Sequence, residues 1–191
     1  MLKDKVEKYD ALKLELQKCK KCDLRRQVCY YATGPITATV MVIGQAPSLY
    51  RKSEEHFSEM SRNIFNKFLD ELHLTKEDIW ITNAIKCVEP HKRTGVDLNC
   101  KSYLKREIKI VQPNEIFLMG CVATHAVFGS AKPYKSFKEK GITYHVMPHP
   151  MVVLYDPEEG KKKFLDALKR VKEYRQTHRI KVRKQLTLEG I

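Results

Sequence analysis

Four cysteines have the spacing of a metal site. Cys19 and Cys22 form a C-x-x-C pair near the start of the chain, and Cys87 and Cys100 follow much later. The first pair can place two thiolates on one metal from a short turn, whereas only folding can bring the later two to the same point. Four such thiolates hold either zinc or an iron–sulfur cluster, and the spacing leaves that choice open.

Two further cysteines complete the six of the chain. The first residues are charged and do not form a secretion signal, which argues against a disulfide framework. Cys29 follows Cys22 after a basic stretch and is an alternative ligand. Cys121 lies in an apolar run, so we expect it to be a small buried hydrophobic residue.

The chain of 191 residues is strongly basic, with 36 Lys and Arg against 23 Asp and Glu and a formal net charge of +13. A one-sided excess of this kind attracts polyanions, nucleic acid first. The alternative is the Lys/Glu-rich surface of a heat-adapted protein, which usually keeps both signs near balance. No stretch has the length and apolarity of a membrane span, so we expect no membrane partner.

Strands and helices that must position these residues alternate along the sequence. Periodicity predicts strands over 39–44, 78–83, 115–119 and 142–147, and helices over 3–18, 60–74, 97–111, 121–128 and 157–174, with Asp97 as a helix cap. This alternation predicts a three-layer α/β/α fold with a central four-stranded parallel sheet. We place the domain at residues 1–176 and a basic tail at 177–191.

Three strand ends carry residues that can do chemistry: Gly44-Gln45-Ala46-Pro47-Ser48, Asn83-Ala84-Ile85-Lys86-Cys87 and Pro148-His149-Pro150. The carboxyl ends of parallel strands share one edge of the sheet, where sites of such folds lie. We therefore expect a Gly/Pro-containing loop, an amide and an imidazole to converge there.

These motifs, in this order, resemble the iron–sulfur (family 4-like) uracil-DNA glycosylases of the uracil-DNA glycosylase superfamily. That family shows C-x-x-C, a G-E-A-P-G-like loop, an aromatic residue, N-x-x-K-C, a fourth Cys and H-P-S/A. The matching elements here run from about residue 15 to 175 and are Cys19-x-x-Cys22, the Gly44 loop, His56-Phe57, Asn83-x-x-Lys86-Cys87, Cys100 and His149-Pro150-Met151.

The resemblance implies a structural 4Fe–4S cluster held by Cys19, Cys22, Cys87 and Cys100, with a zinc knot as the alternative. It implies a monomeric, monofunctional glycosylase that flips uracil out of DNA and hydrolyses its glycosidic bond in base excision repair. It also implies a cytoplasmic protein of a prokaryote, archaeal or thermophilic.

Site roles follow from the same resemblance. Phe57 stacks on the base, Asn83 bonds O4 and N3, and His149 donates to O2 as negative charge develops. Their ordinary roles would be a core ring, a strand-end amide and a turn histidine. The remaining expected site residues are Gly44 and Ala46 in the base pocket, Pro150 in the segment that enters the minor groove with Met151 or Leu154 as its wedge, and Lys86 and Arg93 on phosphates.

Gln45 and Ser48 depart from the family loop, which has an acidic residue and a second Gly at these positions. Gln45 cannot act as a base, although it can orient a water. A different deaminated base is therefore an open substrate. The alternative function is a superfamily member that binds damaged or abasic DNA with little or no turnover.

The end of the tail, Gln185, Leu188 and Ile191, resembles a sliding-clamp-binding peptide without its usual final aromatic residue. Short patterns of this kind recur by chance, and a basic tail that contacts DNA is the alternative.

Overall fold

A computed structural model describes residues 2–22, 29–47, 59–88 and 99–180. Its strands are β1 (Val40–Gly44), β2 (Ile79–Asn83), β3 (Glu115–Met119), β4 (Ser136–Glu139) and β5 (Ile142–Met147). Its helices are α1 (Leu2–Gln17), α2 (Glu59–Glu71), α3 (Lys101–Val111), α4 (Cys121–Phe128), α5 (Val152–Tyr155) and α6 (Glu159–Thr177). No described helix is long and apolar enough to cross a membrane.

The strands form one five-stranded sheet in the order β2-β1-β3-β5-β4. The first four are parallel, as predicted, but β4 pairs antiparallel with β5, so the expected count of four strands is wrong. β4 escaped prediction because it is a short edge strand whose residues are at best half-buried, and it therefore lacks the apolar run of the central strands.

Alternating side chains of the central strands build two cores. Met41 and Ile43 of β1 pack with α1, α3 and α4 on one face, while Val40 and Val42 pack with α2 and α6 on the other. On the second face the ring of Phe68 lies 5.2 Å from that of Phe117 in β3. The sheet is thus covered by helices on both faces, which is why its central strands are apolar throughout.

A polar cluster inside the protein ties α6 to the sheet. His145 Nε2 lies 2.7 Å from Glu115 Oε1, and the ring stacks on Phe117. Arg175 of α6 places its Nε 3.2 Å from the same carboxylate and donates from Nη1 to Leu72 O. Sequence periodicity did not reveal this cluster, because its members come from three elements far apart in the chain and only the fold brings them together.

Residues 29–34 run beside β2 and cover its outer edge. Thr33 and Ile81 exchange backbone hydrogen bonds of 3.0 and 2.8 Å, and the Tyr30 N–H donates to Lys86 O at 2.8 Å. Gly34 ends this segment with φ of 113°, where an added Cβ would lie 2.0 Å from Ile79 O. Only glycine allows this approach of the two backbones.

Gly34→Ala should therefore destabilise the fold by about 3 kcal/mol or more, since it combines left-handed strain with a backbone clash. Gly141→Ala is the matched control: φ is 83°, but nothing lies within 4 Å of an added Cβ. It should lose only about 1–2 kcal/mol. Urea unfolding of both variants measures the difference, and equal losses would contradict the close approach.

Candidate active site

The direction of the strand connections reverses between β1 and β3, which is where sites of open parallel sheets lie, at the carboxyl edge. The chain passes from β1 to β2 on one side and then crosses to β3 on the other, so the connections after β1 and β3 diverge. The loop after β1 begins at Gln45, the loop after β2 at Ala84, and the turn after β5 contains His149. The predicted convergence on one edge is confirmed at the level of the strands.

Asn83 lies against Gly44, its register partner in the neighbouring strand. A Cβ at Gly44 would stand 2.5 Å from Asn83 Oδ1, so the amide occupies the space that a side chain would fill. The two loops are joined further on, where the N–H groups of Ala84 and Ile85 donate to Gly44 O and Gln45 O, each at 2.9 Å. Asn83 is 5% exposed and is therefore fixed in a nearly dry position.

His149 is partly buried, and its protonation state follows from two observations. The Met151 N–H donates to Nδ1 at 3.1 Å, so Nδ1 is the acceptor. Burial lowers the pKa of His149 to about 4. At neutral pH the imidazole is therefore uncharged and carries its proton on Nε2, as a hydrogen-bond donor. Gly120 sits directly behind it, with 3.4 Å between a Cβ added there and His149 Cβ.

Residues 150–155 form the turn and short helix that follow His149. Backbone bonds from Val152 N–H to His149 O and from Leu154 N–H to Met151 O close this segment into α5. Met151 and Leu154, the expected wedge residues, are half-buried, whereas Tyr155 is 65% exposed. Sequence reasoning did not single out Tyr155, although an aromatic residue beside an expected DNA-facing loop was a usable signal.

Lys86 does not lie on the surface, so its expected contact with phosphate is wrong. The side chain is 2% exposed, and Nζ lies 2.5 Å from Glu107 Oε2 and 2.7 Å from Thr82 Oγ1. The residues around Lys86 are apolar and buried, so the whole loop lies inside the protein. The apolar sequence Ala84-Ile85-Lys86-Cys87-Val88 is a signal of this burial.

Glu107 completes this buried network from α3. Its other oxygen accepts a hydrogen bond from Trp80 Nε1 at 3.4 Å. Burial raises the pKa of Tyr9 well above its usual range, and the neighbouring Glu107 carboxylate adds to that effect. Tyr9 in turn accepts a hydrogen bond from the Ala32 N–H at 2.9 Å, which ties the segment beside β2 to α1.

Five of the six cysteines gather beside this loop. Cys22, Cys29 and Cys87 pack with Ile85 and Ala46 in one small apolar cluster. Burial raises the pKa of the Cys100 thiol; the neighbouring Lys86 opposes this effect, and negative charge on Cys22 and Cys19 adds to it. The expected set of Cys19, Cys22, Cys87 and Cys100 is thus brought into one neighbourhood, and Cys29 joins it.

Cys87 is not a free thiol: it forms a disulfide with Cys29, and their Cα atoms are 3.9 Å apart. Cys121 is exposed rather than buried, because it is the first residue of α4 and points away from the apolar run that precedes it. Cys100 precedes α3 at the N-cap position, so this helix begins after the expected start at Asp97, which lies outside the described residues.

The model of the uracil DNA glycosylase superfamily matches residues 31–172 of this chain. The type-4 uracil-DNA glycosylase of Saccharolobus solfataricus is 30% identical over 189 residues, covering 85% of this chain and 88% of the relative. Those of Archaeoglobus fulgidus and Sulfurisphaera tokodaii are each 28% identical over 172 residues, covering 80% of this chain and 86% and 78% of the relatives.

The chain belongs to the uracil-DNA glycosylase superfamily. The match spans every strand of the sheet and both Asn83 and His149, so the resemblance seen in the motifs is confirmed over most of the fold. Its relatives of type 4 are named as enzymes that act on uracil in DNA.

A glycosylase of this type would need four thiolates for a cluster, and the described residues meet that need only in part. The thiols are of the right kind and lie together, but no group of three or more His, Cys, Asp or Glu side chains in the described ranges is arranged to hold a metal ion. The Cys29–Cys87 disulfide takes one of the four expected ligands. The arrangement described is therefore that of an oxidised thiol pair.

Several predicted site residues lie outside the described ranges. Phe57 and Ser48 belong to the connection between β1 and α2, and Arg93 to the connection between Val88 and α3. The tail residues Gln185, Leu188 and Ile191 follow the last described residue, Ile180. Their roles stay predictions.

Lys86→Met should destabilise the glycosylase fold by about 3–5 kcal/mol, since it leaves Glu107 as an unpaired buried charge. The double variant Lys86→Met/Glu107→Leu should recover much of this loss. Lys172→Met is the matched control: its partner Glu71 lies 2.7 Å away on the surface, so the urea midpoint should hardly move. Equal urea midpoints for Lys86→Met and Lys172→Met would show that water reaches the Lys86–Glu107 pair.

His149 should titrate near pH 4 rather than near its ordinary 6.5, because its cation is desolvated in the fold. An NMR titration of the imidazole signals, with His149→Gln to identify the resonance, measures this. Between those two values the unfolded chain binds a proton that the folded chain does not, so stability should fall as the pH is lowered through that window. A midpoint between 6 and 7 would contradict the buried donor.

Proposed function

We propose that this chain is a monofunctional uracil-DNA glycosylase, which hydrolyses the bond between uracil and deoxyribose in DNA. The single observation that carries the proposal is the pairing of a neutral His149, protonated on Nε2, with a fixed Asn83 amide on one edge of the sheet. Membership of the superfamily and the similarity to type-4 enzymes support it.

Asn83 would read the base. An amide offers one donor and one acceptor in a fixed plane, which complements O4 and N3–H of uracil and not the amino group and bare nitrogen of cytosine. Gly44 supports this role, because its lack of a side chain leaves room for the amide beside the loop. Asn83 is only 5% exposed, so water cannot easily replace the hydrogen bonds that a mismatched base fails to make with its amide.

His149 would act on the leaving group. As the glycosidic bond breaks, its electron pair passes to N1 of uracil and negative charge spreads to O2. Water adds at the sugar carbon, and the proton that it loses ends on the uracil anion. A neutral Nε2–H donor directed at O2 stabilises that charge in a site with little water. A neutral imidazole does not attract DNA phosphate, whereas an imidazolium cation would. The Met151 N–H donates to Nδ1 and so keeps the ring in place.

Gln45 is the residue that favours a second candidate, a protein that binds lesions with little turnover. Its backbone carbonyl is fixed by the Ile85 N–H, so residue 45 is held beside the base-reading amide. An acid there could stabilise the positive sugar or accept a proton from water, whereas Gln45 can only orient that water. The loop lysine offers no alternative chemistry, because Lys86 is paired with Glu107.

DNA would lie along the same edge. The net charge of +13 favours a polyanion, and the half-buried Met151 and Leu154 would enter the minor groove beside the flipped base, while the buried Pro150 would shape the turn behind them. Phe57 would stack on uracil, Ala46 would line the pocket, and Arg93 would contact phosphate. A domain of residues 1–176 would carry this activity, and the tail at 177–191 would reach a sliding clamp or DNA.

Cys19, Cys22, Cys87 and Cys100 would hold a 4Fe–4S cluster once the Cys29–Cys87 disulfide is reduced. Such a cluster would supply a cross-link between the start of the chain, the loop after β2 and α3, without taking part in hydrolysis. The residues of this loop would then be fixed from both ends, at Asn83 by the sheet and at Cys87 by the metal site.

Release of uracil from an end-labelled oligonucleotide with one uracil tests the proposal. Asn83→Ala and His149→Ala should each lower the rate about 100- to 1000-fold, since each removes a group that acts in the transition state. The matched controls are Asn114→Ala, at the opposite end of β3, and His125→Ala, exposed on α4; both should keep the rate.

Oligonucleotides with hypoxanthine or xanthine test a shifted substrate, and cytosine and thymine serve as negative substrates. If the chain binds these duplexes tightly and releases no base from any of them, the binding protein is the correct function. Release of uracil that persists in both active-site variants would leave the enzyme but refute the assigned residues.

A further inference from the structure

Cys29 has no part in the glycosylase proposed above, although the fold brings it to the expected metal ligands. It is half-buried and packs with Cys22, Cys87 and Ala46. The remaining leftover thiol, Cys121, is exposed on α4 and serves as a reference for an unconstrained cysteine.

The backbone sets the distance between Cys29 and Cys87. They form an antiparallel bridge, and the adjacent Tyr30 N–H donates to Lys86 O at 2.8 Å. The Cα atoms are consequently 3.9 Å apart, so the two sulfurs can meet without separate segments of backbone having to approach each other. The nearest further backbone contact, between Thr33 and Ile81, anchors the same segment along β2.

Loop 83–87 cannot easily withdraw from this bridge. Lys86 is held by Glu107 and Thr82, and Ile85 N–H is bound to Gln45 O. Cys87 therefore stays beside Cys29 whatever else it binds, and the two thiols have a high effective concentration for each other.

We propose that Cys29 and Cys87 form a dithiol/disulfide site that competes with metal ligation, so that Cys87 is either a thiolate ligand or the partner of Cys29. This rests on the proposed function, since the ligand role of Cys87 belongs to it. The oxidant class is a low-molecular-weight disulfide such as oxidised glutathione.

The exchange balances in two steps. The half-buried Cys29 is the more accessible sulfur, since Cys87 is only 6% exposed. The Cys29 thiolate attacks one sulfur of the small disulfide, which gives a mixed disulfide and releases one small thiolate. The Cys87 thiolate then attacks Cys29 sulfur and releases the second. Two protein thiols are oxidised, two protons are lost, and the small disulfide is reduced to two thiols.

Peptide mapping of the whole chain tests the pairing without any metal. Metal-free protein treated with oxidised glutathione should yield a Cys29–Cys87 cross-linked peptide, with Cys121 carrying only glutathione. In Cys29→Ser this cross-link should be lost, while Cys121→Ser should keep it. A cross-link of Cys87 to Cys19, Cys22 or Cys100, or no cross-link at all, would overturn the proposal.

Iron loading tests the competition. After reduction, wild-type protein should bind iron and sulfide and gain the visible absorption of a cluster; after oxidised glutathione it should not. Cys29→Ser should load under both conditions and lose iron more slowly than wild type or Cys121→Ser in oxidised glutathione. Equal loading and loss in all three would refute the competition. If reduced protein takes up no iron but the Cys29–Cys87 cross-link forms, the cluster of the proposed function and the competition with it both fail, and only the disulfide pairing stands.

Discussion

The buried ion pair between Lys86 and Glu107 fixes the loop on which both halves of the site depend. Lys86 stands between Asn83, at the end of β2, and Cys87, in the thiol cluster. Its ammonium reaches across to α3 and also to Thr82, so one residue joins the sheet, the loop and a helix. Two charges removed from water need such complete pairing, and the geometry of the loop follows from it.

The same loop continues the hydrogen-bond ladder of the sheet past the ends of β1 and β2. The Ala84 N–H donates to Gly44 O, as the parallel pairing of Gly44 with Asn83 requires, and the Ile85 N–H donates to Gln45 O one residue further on. The backbone of Asn83 is therefore fixed by the sheet, and its side-chain amide lies in the space beside Gly44 that a side chain there would fill. A rigid amide is what discrimination between two similar bases requires, because a mobile one would adapt to either.

Much of the fold was predictable because the parallel strands are buried on both faces. The apolar runs gave the bounds of β1 and β3 to within one residue, the period of α6 gave its bounds to within three, and the motifs placed Asn83 and His149 on one edge. The edge strand β4 and the short helix α5 lack such runs, so pairing and backbone closure determine them rather than local pattern.

The burial of Lys86 was not predictable from its charge, since long cationic side chains are usually exposed. Its partner Glu107 lies among the apolar residues of α3, and only the assembled structure shows that the two meet. The disulfide partner of Cys87 was equally hidden, because sequence spacing says nothing about a segment that folds back along β2. Tertiary contacts, not propensity, determine both features.

Cys87 connects the thiol cluster to the expected base pocket, because it ends the loop that begins at Asn83. Ala46, which follows Gln45 in the loop beside Asn83, packs in the same apolar cluster as Cys29 and Cys87. Ala46 is therefore the side chain that lies between Cys87, where the bonding partner would change, and the expected base pocket. Between the two regions Lys86 is held by Glu107 and Thr82, and Asn83 is held against Gly44 by the sheet, so we expect Asn83 to keep its position when Cys87 changes its partner.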